Sequence, residues 1–329
     1  MTIKVAINGF GRIGRSVLRA WATQKAWPEI EIVLLNDIAP LDACTYLFKY
    51  DSVFGAYPGK VSASNKALHL DGCVIPFYQE ADLGSIDLSN IDILMECTGL
   101  AKKRDIAEQC LRAGARKVLI SGPSPNADLT YVMGANDDAL TPDHLIVSNA
   151  SCTTNAIAPL LKILDDAAGI ETGYMTTIHC YTGSQPTVDK PTGDFARSRA
   201  AALSMVPTTT SASRLTDLVL PHLAGKVEGS AVRVPSASVS AVDLTVMLDQ
   251  SMTVEAVNKL LSETGGVIGF TDDPVVSTDL RSRPESLIIS GGETVVTQGG
   301  MHRVFGWYDN EWGFSNRMLD VAKRLHLTR

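Results

Sequence analysis

Three glycines at a fixed spacing, placed directly after a short apolar segment, restrict the fold of this chain more than any other feature. Residues 3–7 are rich in apolar, β-branched side chains, Gly9, Gly11 and Gly14 follow, and residues 16–21 continue with apolar side chains at helical spacing. The order strand, glycine turn, helix is typical of the first βαβ unit of a dinucleotide-binding fold. There the first glycine permits a tight turn, the second lets the backbone approach a pyrophosphate, and the third lets helix and strand pack closely.

An acidic residue stands at the end of the second predicted strand. The apolar run 30–35 ends at Asn36 and Asp37. A carboxylate at this place accepts hydrogen bonds from the ribose hydroxyls of an adenosine and repels a 2′-phosphate. Backbone N–H groups at the start of the first helix are suited to bind the phosphates. We therefore predict a dinucleotide site, with NAD rather than NADP as the cofactor.

Short strands and helices alternate through the first half of the chain. Strands are predicted at 91–95 and 117–120 with a helix at 105–113 between them, and such alternation predicts a parallel sheet with helices on both faces. Later the pattern changes, with a helix predicted over 151–168 and then the strands of a mostly antiparallel sheet. These strands are predicted at 175–179, 230–234, 239–247, 287–289 and 304–308.

The predicted fold class is therefore α/β, with a Rossmann-type doubly wound parallel sheet and a second, α+β catalytic domain that contains a mostly antiparallel sheet. We place the NAD-binding domain at 1–150 and the catalytic domain at 151–313, with a C-terminal helix, 314–329, joined to the first domain. The segment 181–206 has no clear period and contains glycines and prolines. A long ordered loop of this kind is usually functional.

Composition argues against several other classes of protein. Lys and Arg number 29 against 36 Asp and Glu, a net charge of −7, so no basic field is available to bind nucleic acid. No apolar stretch reaches the roughly 18 residues needed to span a membrane. The six cysteines are scattered without a C-x-x-C pair or zinc-type spacing, so we predict no metal site. This cysteine usage and the lack of a signal segment predict a cytoplasmic protein.

Cys152 has the surroundings of a nucleophile rather than of a core residue. It lies in the small polar run 151–155 at the start of a predicted helix, where unpaired N–H groups favour an anion. We expect this environment to lower the pKa of the thiol. A nucleophilic thiol also needs a base, and His179 ends the next predicted strand, where it could face the helix start. Cys152 and His179 are the candidate catalytic residues.

The other cysteines have plainer surroundings. Cys73, Cys97 and Cys110 lie in or beside predicted strands and a helix, so we expect small core residues there. Cys180 follows His179 directly, and the alternation of side chains along a strand predicts that it points to the opposite side.

Five blocks of sequence resemble the glyceraldehyde-3-phosphate dehydrogenase family, and the resemblance covers essentially the whole chain. The block around the cysteine is nearly diagnostic by itself. The blocks are INGFGRIGR at 7–15, SNASCTTN at 148–155, RAAAL at 199–203, PTTT at 207–210 and WYDNEWG at 307–313.

The resemblance implies a homotetramer that oxidises a phosphorylated aldehyde with NAD. Cys152 would attack the aldehyde, His179 would take the proton of the hemithioacetal, and hydride would pass to the nicotinamide. Inorganic phosphate would then cleave the thioester to give an acyl phosphate, while backbone N–H groups near Cys152 stabilise the oxyanion.

The resemblance also assigns binding residues. The cofactor would contact Gly9, Gly11, Arg12, Ile13, Gly14, Asp37, Thr98 and Asn310. Substrate phosphate would contact Thr182 and Arg233, and the attacking phosphate would contact Ser151, Thr153 and Thr210, with Ser211 next to them where the family usually has glycine. A guanidinium and clustered hydroxyls suit phosphate oxygens.

Alternatives remain open within the sequence. A paralogue could act on erythrose 4-phosphate with water cleaving the thioester, or could use arsenate as the attacking anion. The PTTT block favours the phosphate-using enzyme over the erythrose type. A second class is a non-catalytic NAD-binding interaction protein, and the intact Cys152 and His179 argue against it.

Overall fold

The computed structural model of the protein describes residues 2–101 and 103–328. The described residues form two compact units. Those within 2–131, 137–150 and 315–328 form the first unit, and those within 132–136 and 151–314 form the second.

The first unit is built on a nine-stranded sheet of order β10-β11-β9-β8-β1-β2-β7-β6-β5. The pairs from β10 to β7 are parallel, and β7-β6-β5 form an antiparallel edge. In chain order its elements are β1 Ile3–Asn8, α1 Arg12–Gln24, β2 Ile30–Asn36, α2 Leu41–Lys49, β3 Tyr50–Asp51, β4 Gly55–Ala56, β5 Val61–Ser64, β6 Ala67–Leu70, β7 Cys73–Tyr78, β8 Ile93–Glu96, α3 Arg104–Arg112, β9 Lys117–Ile120, β10 Leu129–Thr130 and β11 Ile146–Ser148.

The strand order reverses direction at β1, which pairs with β2 on one side and β8 on the other. In open α/β sheets, ligands bind in the crevice beyond the carboxyl ends of the strands at such a switch point. The turn after β1 and the loop after β8 are therefore the expected walls of a ligand site.

The glycines of the first turn are required by close backbone contacts. Gly9 has φ +90, and a Cβ there would lie 2.6 Å from the Thr98 backbone nitrogen. A Cβ on Gly14 would lie 2.1 Å from the Gly9 carbonyl oxygen, whereas one on Gly11 would meet nothing within 4 Å. Two of the three glycines thus serve packing, and Gly11 leaves an open space in front of the helix.

The second unit contains an eight-stranded sheet, seven of whose strands follow the order β13-β14-β12-β15-β19-β17-β16 while β18 pairs with β19. Only the β12–β14 and β16–β17 pairs are parallel. Its elements are α4 Cys152–Ala168, β12 Ile170–Cys180, β13 Val206–Thr209, α5 Ala212–Val219, β14 Val227–Val234, β15 Ser240–Leu248, α6 Val254–Thr264, β16 Ile268–Thr271, β17 Leu287–Ser290, β18 Val295–Val296 and β19 Met301–Tyr308. The last helix, α7 Trp312–Leu327, begins here, and most of its residues belong to the first unit.

Helix α4 packs on the second sheet, where it contacts β12, β15 and β17. Its apolar face, Ile157, Leu160, Leu161 and Leu164, is buried. Burial of such a face contributes roughly 1.5–3 kcal/mol for each large aliphatic side chain. This packing fixes the start of α4, and with it Cys152, relative to the sheet.

The predicted fold class is confirmed, since the structure has one mostly parallel and one mostly antiparallel sheet. The antiparallel edge β5–β7 was not foreseen. The prediction of a core position for Cys73 is wrong, because this residue pairs with Leu70 beside the tight turn of the β6–β7 hairpin and is exposed. Cys110 is buried as expected, and Cys97 is partly buried.

Among residues 2–101 and 103–328, none of the helices has both the length and the apolar character needed to cross a bilayer.

Replacement of Gly14 by alanine should destabilise the first unit. Although alanine favours helix more than glycine does, the new Cβ would overlap the Gly9 carbonyl oxygen, and overpacking of this kind costs about 1–3 kcal/mol. Thermal unfolding followed by circular dichroism should show a melting temperature several degrees below that of the unchanged protein. Gly11→Ala is the matched control and should melt within about one degree, as surface changes rarely exceed 0.5 kcal/mol. Equal melting of the two variants would contradict the packing role of Gly14.

Candidate active site

Asp37 lies directly after β2 and is held by the backbone of two neighbouring turns. Its Oδ2 accepts a hydrogen bond from the Phe10 backbone N–H at 2.6 Å, and its Oδ1 accepts one from the Ala39 N–H at 2.8 Å. An ionised carboxylate has about four acceptor positions, so each oxygen can accept a further bond. The structure thus brings Asp37 to the glycine turn, where ribose hydroxyls would be bound.

The start of α1 fits a pyrophosphate. Gly11 is its N-cap, no side chain caps it, and its first turn contains no acidic residue. The space in front of Gly11 is open, as described above. The Arg12 guanidinium lies 2.5 Å from Asp51 and 5.6 Å above the Phe54 ring, while Ile13 is half-buried. These residues therefore suit the dinucleotide predicted from the sequence.

A buried carboxylate that sequence reasoning did not assign joins the loops at the switch point. Glu96 ends β8 and is 1% exposed. It accepts hydrogen bonds from Asn8 Nδ2, from the Thr98 hydroxyl and, at 2.8 Å, from the Thr98 backbone N–H. Burial raises the pKa of this carboxyl group, against the effect of these donors. Glu96 thereby fixes the loop that contains Thr98. In the sequence, the only feature that could have indicated this role is the position of Glu96 at the end of a predicted strand.

Cys152 is the first residue of α4 in the second unit. Ser151 is the N-cap, and its Oγ accepts the Thr154 backbone N–H at 3.0 Å. The preceding Ala150 has φ 54, a left-handed conformation that a non-glycine residue adopts only at a cost of about 1–3 kcal/mol. Such strained residues cluster at functional sites, and this one sets the direction in which the chain enters the helix.

The structure brings Cys152 and His179 together as predicted. Cys152 Sγ lies 3.7 Å from His179 Nε2, a distance suited to proton transfer between sulfur and nitrogen. His179 is 5% exposed and lies near the end of β12, where it is in register with Arg233 on β14. The base is therefore held on a strand paired on both sides.

Two groups approach His179 Nδ1. The Cys180 carbonyl oxygen lies 2.6 Å from it, and Arg233 Nη1 lies 2.7 Å from it. A neutral imidazole has one donor and one acceptor nitrogen. When Nδ1 donates to the carbonyl, Nε2 is the acceptor that faces the thiol, and Arg233 can donate to the same carbonyl oxygen at 3.2 Å. This tautomer is the one that can take the thiol proton.

Burial is the largest influence on both members of the pair. It raises the pKa of the Cys152 thiol, although Arg233 and Thr153 act in the opposite direction. Burial, together with the Arg233 cation, lowers the pKa of His179 to about 4. The expected lowering of the thiol pKa is therefore wrong, because desolvation outweighs the effect of the helix start. The geometry allows a thiolate to form by proton transfer to His179, because the imidazolium would offset the new charge.

Tyr308 is a further part of the site that sequence reasoning left unassigned, although it lies in the WYDNEWG block. Its hydroxyl is 2.8 Å from the hydroxyl of Thr153 and 2.8 Å from that of Thr177. Thr177 Oγ1 donates to the Ala241 carbonyl oxygen at 3.0 Å, so Tyr308 donates to Thr177 and accepts from Thr153. The ring meets His179 edge-on at 6.1 Å. Tyr308 thus connects the start of α4 to the sheet beside the candidate base, His179.

Asn310 is linked to the same cluster. Its side chain is 7% exposed, and its Oδ1 lies 3.0 Å from the buried Cys180 Sγ. The site therefore joins Cys152, His179, Arg233 and Asn310 through direct contacts or contacts with Cys180.

The remaining predicted anion-binding residues lie in two separate loops. The Thr182 hydroxyl bonds with that of Ser184 at 2.9 Å, just after β12. Thr210 Oγ1 accepts from the Ala212 backbone N–H at 3.1 Å, and Ser211 is the N-cap position of α5. Each hydroxyl is thus positioned by its own loop, and the phosphate-binding roles of Thr182, Thr210 and Ser211 stay predictions.

In the described part of the chain, no group of three or more His, Cys, Asp or Glu side chains could hold a metal ion.

A glycine turn of the dinucleotide-binding type in one unit and a partly buried thiol–imidazole pair at a helix start in the other are typical of a nucleotide-dependent dehydrogenase that uses a thiol nucleophile. Proteins named glyceraldehyde-3-phosphate dehydrogenase are similar along nearly the whole chain. One from Xanthobacter flavus is 47% identical over 98% of both chains, and one from Pseudomonas aeruginosa is 47% identical over 100% of both. The chain belongs to the glyceraldehyde-3-phosphate dehydrogenase family.

Family models agree with this membership in both halves of the chain. The model described as "Glyceraldehyde 3-phosphate dehydrogenase, NAD binding domain" matches residues 3–104, and the one described as "Glyceraldehyde 3-phosphate dehydrogenase, C-terminal domain" matches residues 151–310. The resemblance inferred from the sequence blocks is confirmed. The cofactor of this family's N-terminal domain is NAD, as Asp37 indicated.

Loss of the base should slow alkylation of Cys152. In the unchanged protein at pH 7, iodoacetamide should label Cys152 faster than the exposed Cys73, because His179 takes the thiol proton as the sulfur reacts. His179→Asn should slow labelling of Cys152 by at least about tenfold, given that general bases contribute about 10²–10⁴-fold. Mass spectrometry of timed digests gives both rates in one sample.

Cys73 is the internal control of this experiment, and its rate should be the same in both proteins. Equal labelling of Cys152 with and without His179 would show that the imidazole does not act on the thiol.

Proposed function

We propose that this protein oxidises D-glyceraldehyde 3-phosphate with NAD and inorganic phosphate to 1,3-bisphosphoglycerate through a thioester on Cys152. The observation that carries the proposal is the 3.7 Å approach of Cys152 Sγ to His179 Nε2, in a chain that belongs to a dehydrogenase family. Bound NAD supplies the acceptor for the hydride.

The first step joins the sulfur to the aldehyde carbon. His179 Nε2 takes the thiol proton as the C–S bond forms and returns it to the aldehyde oxygen, so a neutral hemithioacetal results. Backbone N–H groups at the start of α4 support the developing negative charge on that oxygen. In the tautomer whose Nδ1 donates to the Cys180 carbonyl, the ring stays oriented while Nε2 exchanges the proton.

The second step removes a hydride from the hemithioacetal carbon and leaves a thioester. The hydroxyl proton passes to His179 Nε2. In the third step a phosphate oxygen attacks the thioester carbonyl, the C–S bond breaks, and Cys152 leaves as the sulfur anion that the imidazolium stabilises. The acyl phosphate is the product, and proton transfer between the pair restores the starting state.

Two groups of polar side chains are proposed to bind the anions. Arg233 and Thr182 would hold the substrate phosphate, and the position of Arg233 supports this, as it places a cation beside the proposed base His179. The attacking phosphate would be held by Ser151, Thr153, Thr210 and Ser211. The family resemblance is the basis for these roles.

The cofactor roles of Gly9, Gly11, Arg12, Ile13, Gly14, Asp37, Thr98 and Asn310 belong to the same proposal. The proposal also includes the domain division, in which 1–150 with helix 314–329 is the NAD-binding domain and 151–313 is the catalytic domain. A homotetrameric assembly and a cytoplasmic location are also proposed, and they rest on the sequence alone.

Turnover should require an attacking anion. With glyceraldehyde 3-phosphate and NAD but neither phosphate nor arsenate, stopped-flow absorbance should show a burst of about one NADH per Cys152 and then little further production, since the thioester has no acceptor. Added phosphate or arsenate should restore steady turnover. Cys152→Ser should lose both the burst and the turnover, with NAD affinity retained.

The same assay separates the alternatives. Steady turnover without an anion, with erythrose 4-phosphate preferred, would indicate a hydrolytic paralogue, and turnover with arsenate alone would indicate an arsenate-linked one. NAD binding without a burst for either aldehyde would indicate a binding protein.

The acylation burst should persist at mildly acidic pH. His179 must be uncharged to take a proton, and its pKa of about 4 lies below the ordinary 6.5. More than about 90% of it is then neutral at pH 5.5, and the burst rate should fall only as the pH approaches 4. Unphosphorylated D-glyceraldehyde is the suitable substrate, because a phosphate monoester itself titrates near pH 6. An acid limb centred near 6.5 would contradict the lowered pKa.

A further inference from the structure

Cys180 occupies a position between the catalytic base and Asn310. It is fully buried, its carbonyl oxygen faces His179 Nδ1, and its Sγ lies 3.0 Å from Asn310 Oδ1. A thiol is a weak donor, yet this distance is short for a contact from sulfur to oxygen. The contact joins two residues that are both held inside the second unit.

The donor in this contact can be identified. Burial raises the pKa of the Cys180 thiol to about 12, so the sulfur keeps its proton at neutral pH. Ser240 Oγ accepts the Cys180 backbone N–H at 3.1 Å. Because Asn310 Oδ1 can only accept a hydrogen bond, the Cys180 S–H is the donor in this contact.

The hydrogen bond between Cys180 and Asn310 is directional. The Cys180 S–H donates to Asn310 Oδ1. An asparagine amide has one oxygen that accepts and one nitrogen that donates. A donor at Oδ1 therefore decides which end of the amide is turned toward the sulfur and which end is turned away.

We propose that Cys180 is a positioning residue that holds the Asn310 amide with its oxygen toward the sulfur and its Nδ2 donor available for the carbonyl oxygen of the nicotinamide carboxamide. This inference rests on the proposed function, in which Asn310 binds that carboxamide. It adds the reason why one of the two amide orientations is present before the cofactor binds. Pre-organisation of this kind improves affinity, because the population of the competent orientation multiplies the intrinsic binding constant.

The proposal predicts how the affinity of the protein for a cofactor analogue compares with its affinity for NAD. The ring substituent of 3-acetylpyridine adenine dinucleotide keeps the carbonyl oxygen of NAD and has a methyl group in place of the amino group. A fixed Nδ2 donor can bond to either ligand. An Asn310 amide that is free to turn can bond to NAD in either orientation, because the carboxamide of NAD has both a donor and an acceptor. The analogue has only the acceptor, so the flipped Asn310 amide finds no partner on it.

The test is a calorimetric titration of NAD and of 3-acetylpyridine adenine dinucleotide into the full-length unchanged protein, Cys180→Ala and Cys180→Ser. The unchanged protein should bind the two ligands within about threefold of each other. In Cys180→Ala the Kd of the analogue should rise by about 2–10-fold, as expected for one lost hydrogen bond, while the Kd of NAD should rise less. Cys180→Ser again has a donor at this position. The ratio of the Kd of the analogue to the Kd of NAD should therefore return most of the way to that of the unchanged protein.

A packing role gives a different result. Serine is smaller and more polar than cysteine, so if Cys180 only filled space, Cys180→Ser would bind both ligands at least as weakly as Cys180→Ala, and the ratio of the two Kd values would not change. Either of these results would overturn the proposal. Melting temperatures of the three proteins confirm that each is folded at the temperature of the titration.

Cys110→Ala is the matched control. Cys110 is also fully buried, and its Sγ donates to a backbone carbonyl, that of Ile106 at 3.3 Å within α3. Removal of this thiol should leave both Kd values unchanged. A change equal to that of Cys180→Ala would show that loss of any buried thiol produces the effect.

Asn310→Ala separates failure of this inference from failure of the proposed function. If Asn310→Ala binds NAD as the unchanged protein does, the proposed role of Asn310 fails. If Asn310→Ala weakens binding but neither Cys180 variant alters the ratio, only the inference about Cys180 fails. In the double variant, Cys180→Ala should cause no further loss of affinity, because residues that act through one contact are not additive.

Discussion

The contact between Cys152 Sγ and His179 Nε2 is the interaction on which the proposed chemistry of this protein depends, and helix α4, strand β12 and Tyr308 maintain it. One partner is the first residue of α4, whose apolar face is buried on the sheet. The other lies on β12, which is hydrogen-bonded to β14 on one side and β15 on the other. Tyr308 joins the two supports by bonding to Thr153 at the helix start and to Thr177 on the strand. The 3.7 Å separation is thus determined by regular secondary structure rather than by flexible loops.

Burial of this pair favours the neutral forms of both groups, which lowers the cost of burying them but also disfavours the reactive thiolate. Desolvation disfavours both charged forms, so the thiol and the imidazole are neutral at pH 7. A neutral pair costs less to bury than an ion pair, since an isolated buried charge costs several kcal/mol. The charge separation is postponed until the thiol reacts, when the imidazolium and the Arg233 cation lie beside the sulfur anion. In the proposed mechanism, the thiol of Cys152 therefore stays protonated until it attacks the substrate.

Sequence reasoning was accurate where a local pattern has one structural meaning. The glycine turn, Asp37, the helix start at Cys152 and the alternation of strands and helices each depend on a few neighbouring residues, and each led to the correct element and fold class. It was wrong for Cys73, since exposure at a hairpin end depends on strand pairing that was not foreseen. It was also wrong for the pKa of Cys152, because desolvation comes from residues distant in the chain. Glu96 and Tyr308 were missed for the same reason, as their partners lie in other elements.

The sequence by itself determined the class of fold and the cofactor, and it predicted the nucleophile and the base, because these depend on residue type and local spacing. The tertiary structure alone decided the distance between Cys152 and His179, the neutral state of both groups, and the link from Ser240 through Cys180 to Asn310. These properties arise from strand pairing that brings residues 60 and 130 positions apart into hydrogen-bonding distance. No local pattern contains that information, since hydrogen bonds and desolvation act between neighbours in space rather than in sequence.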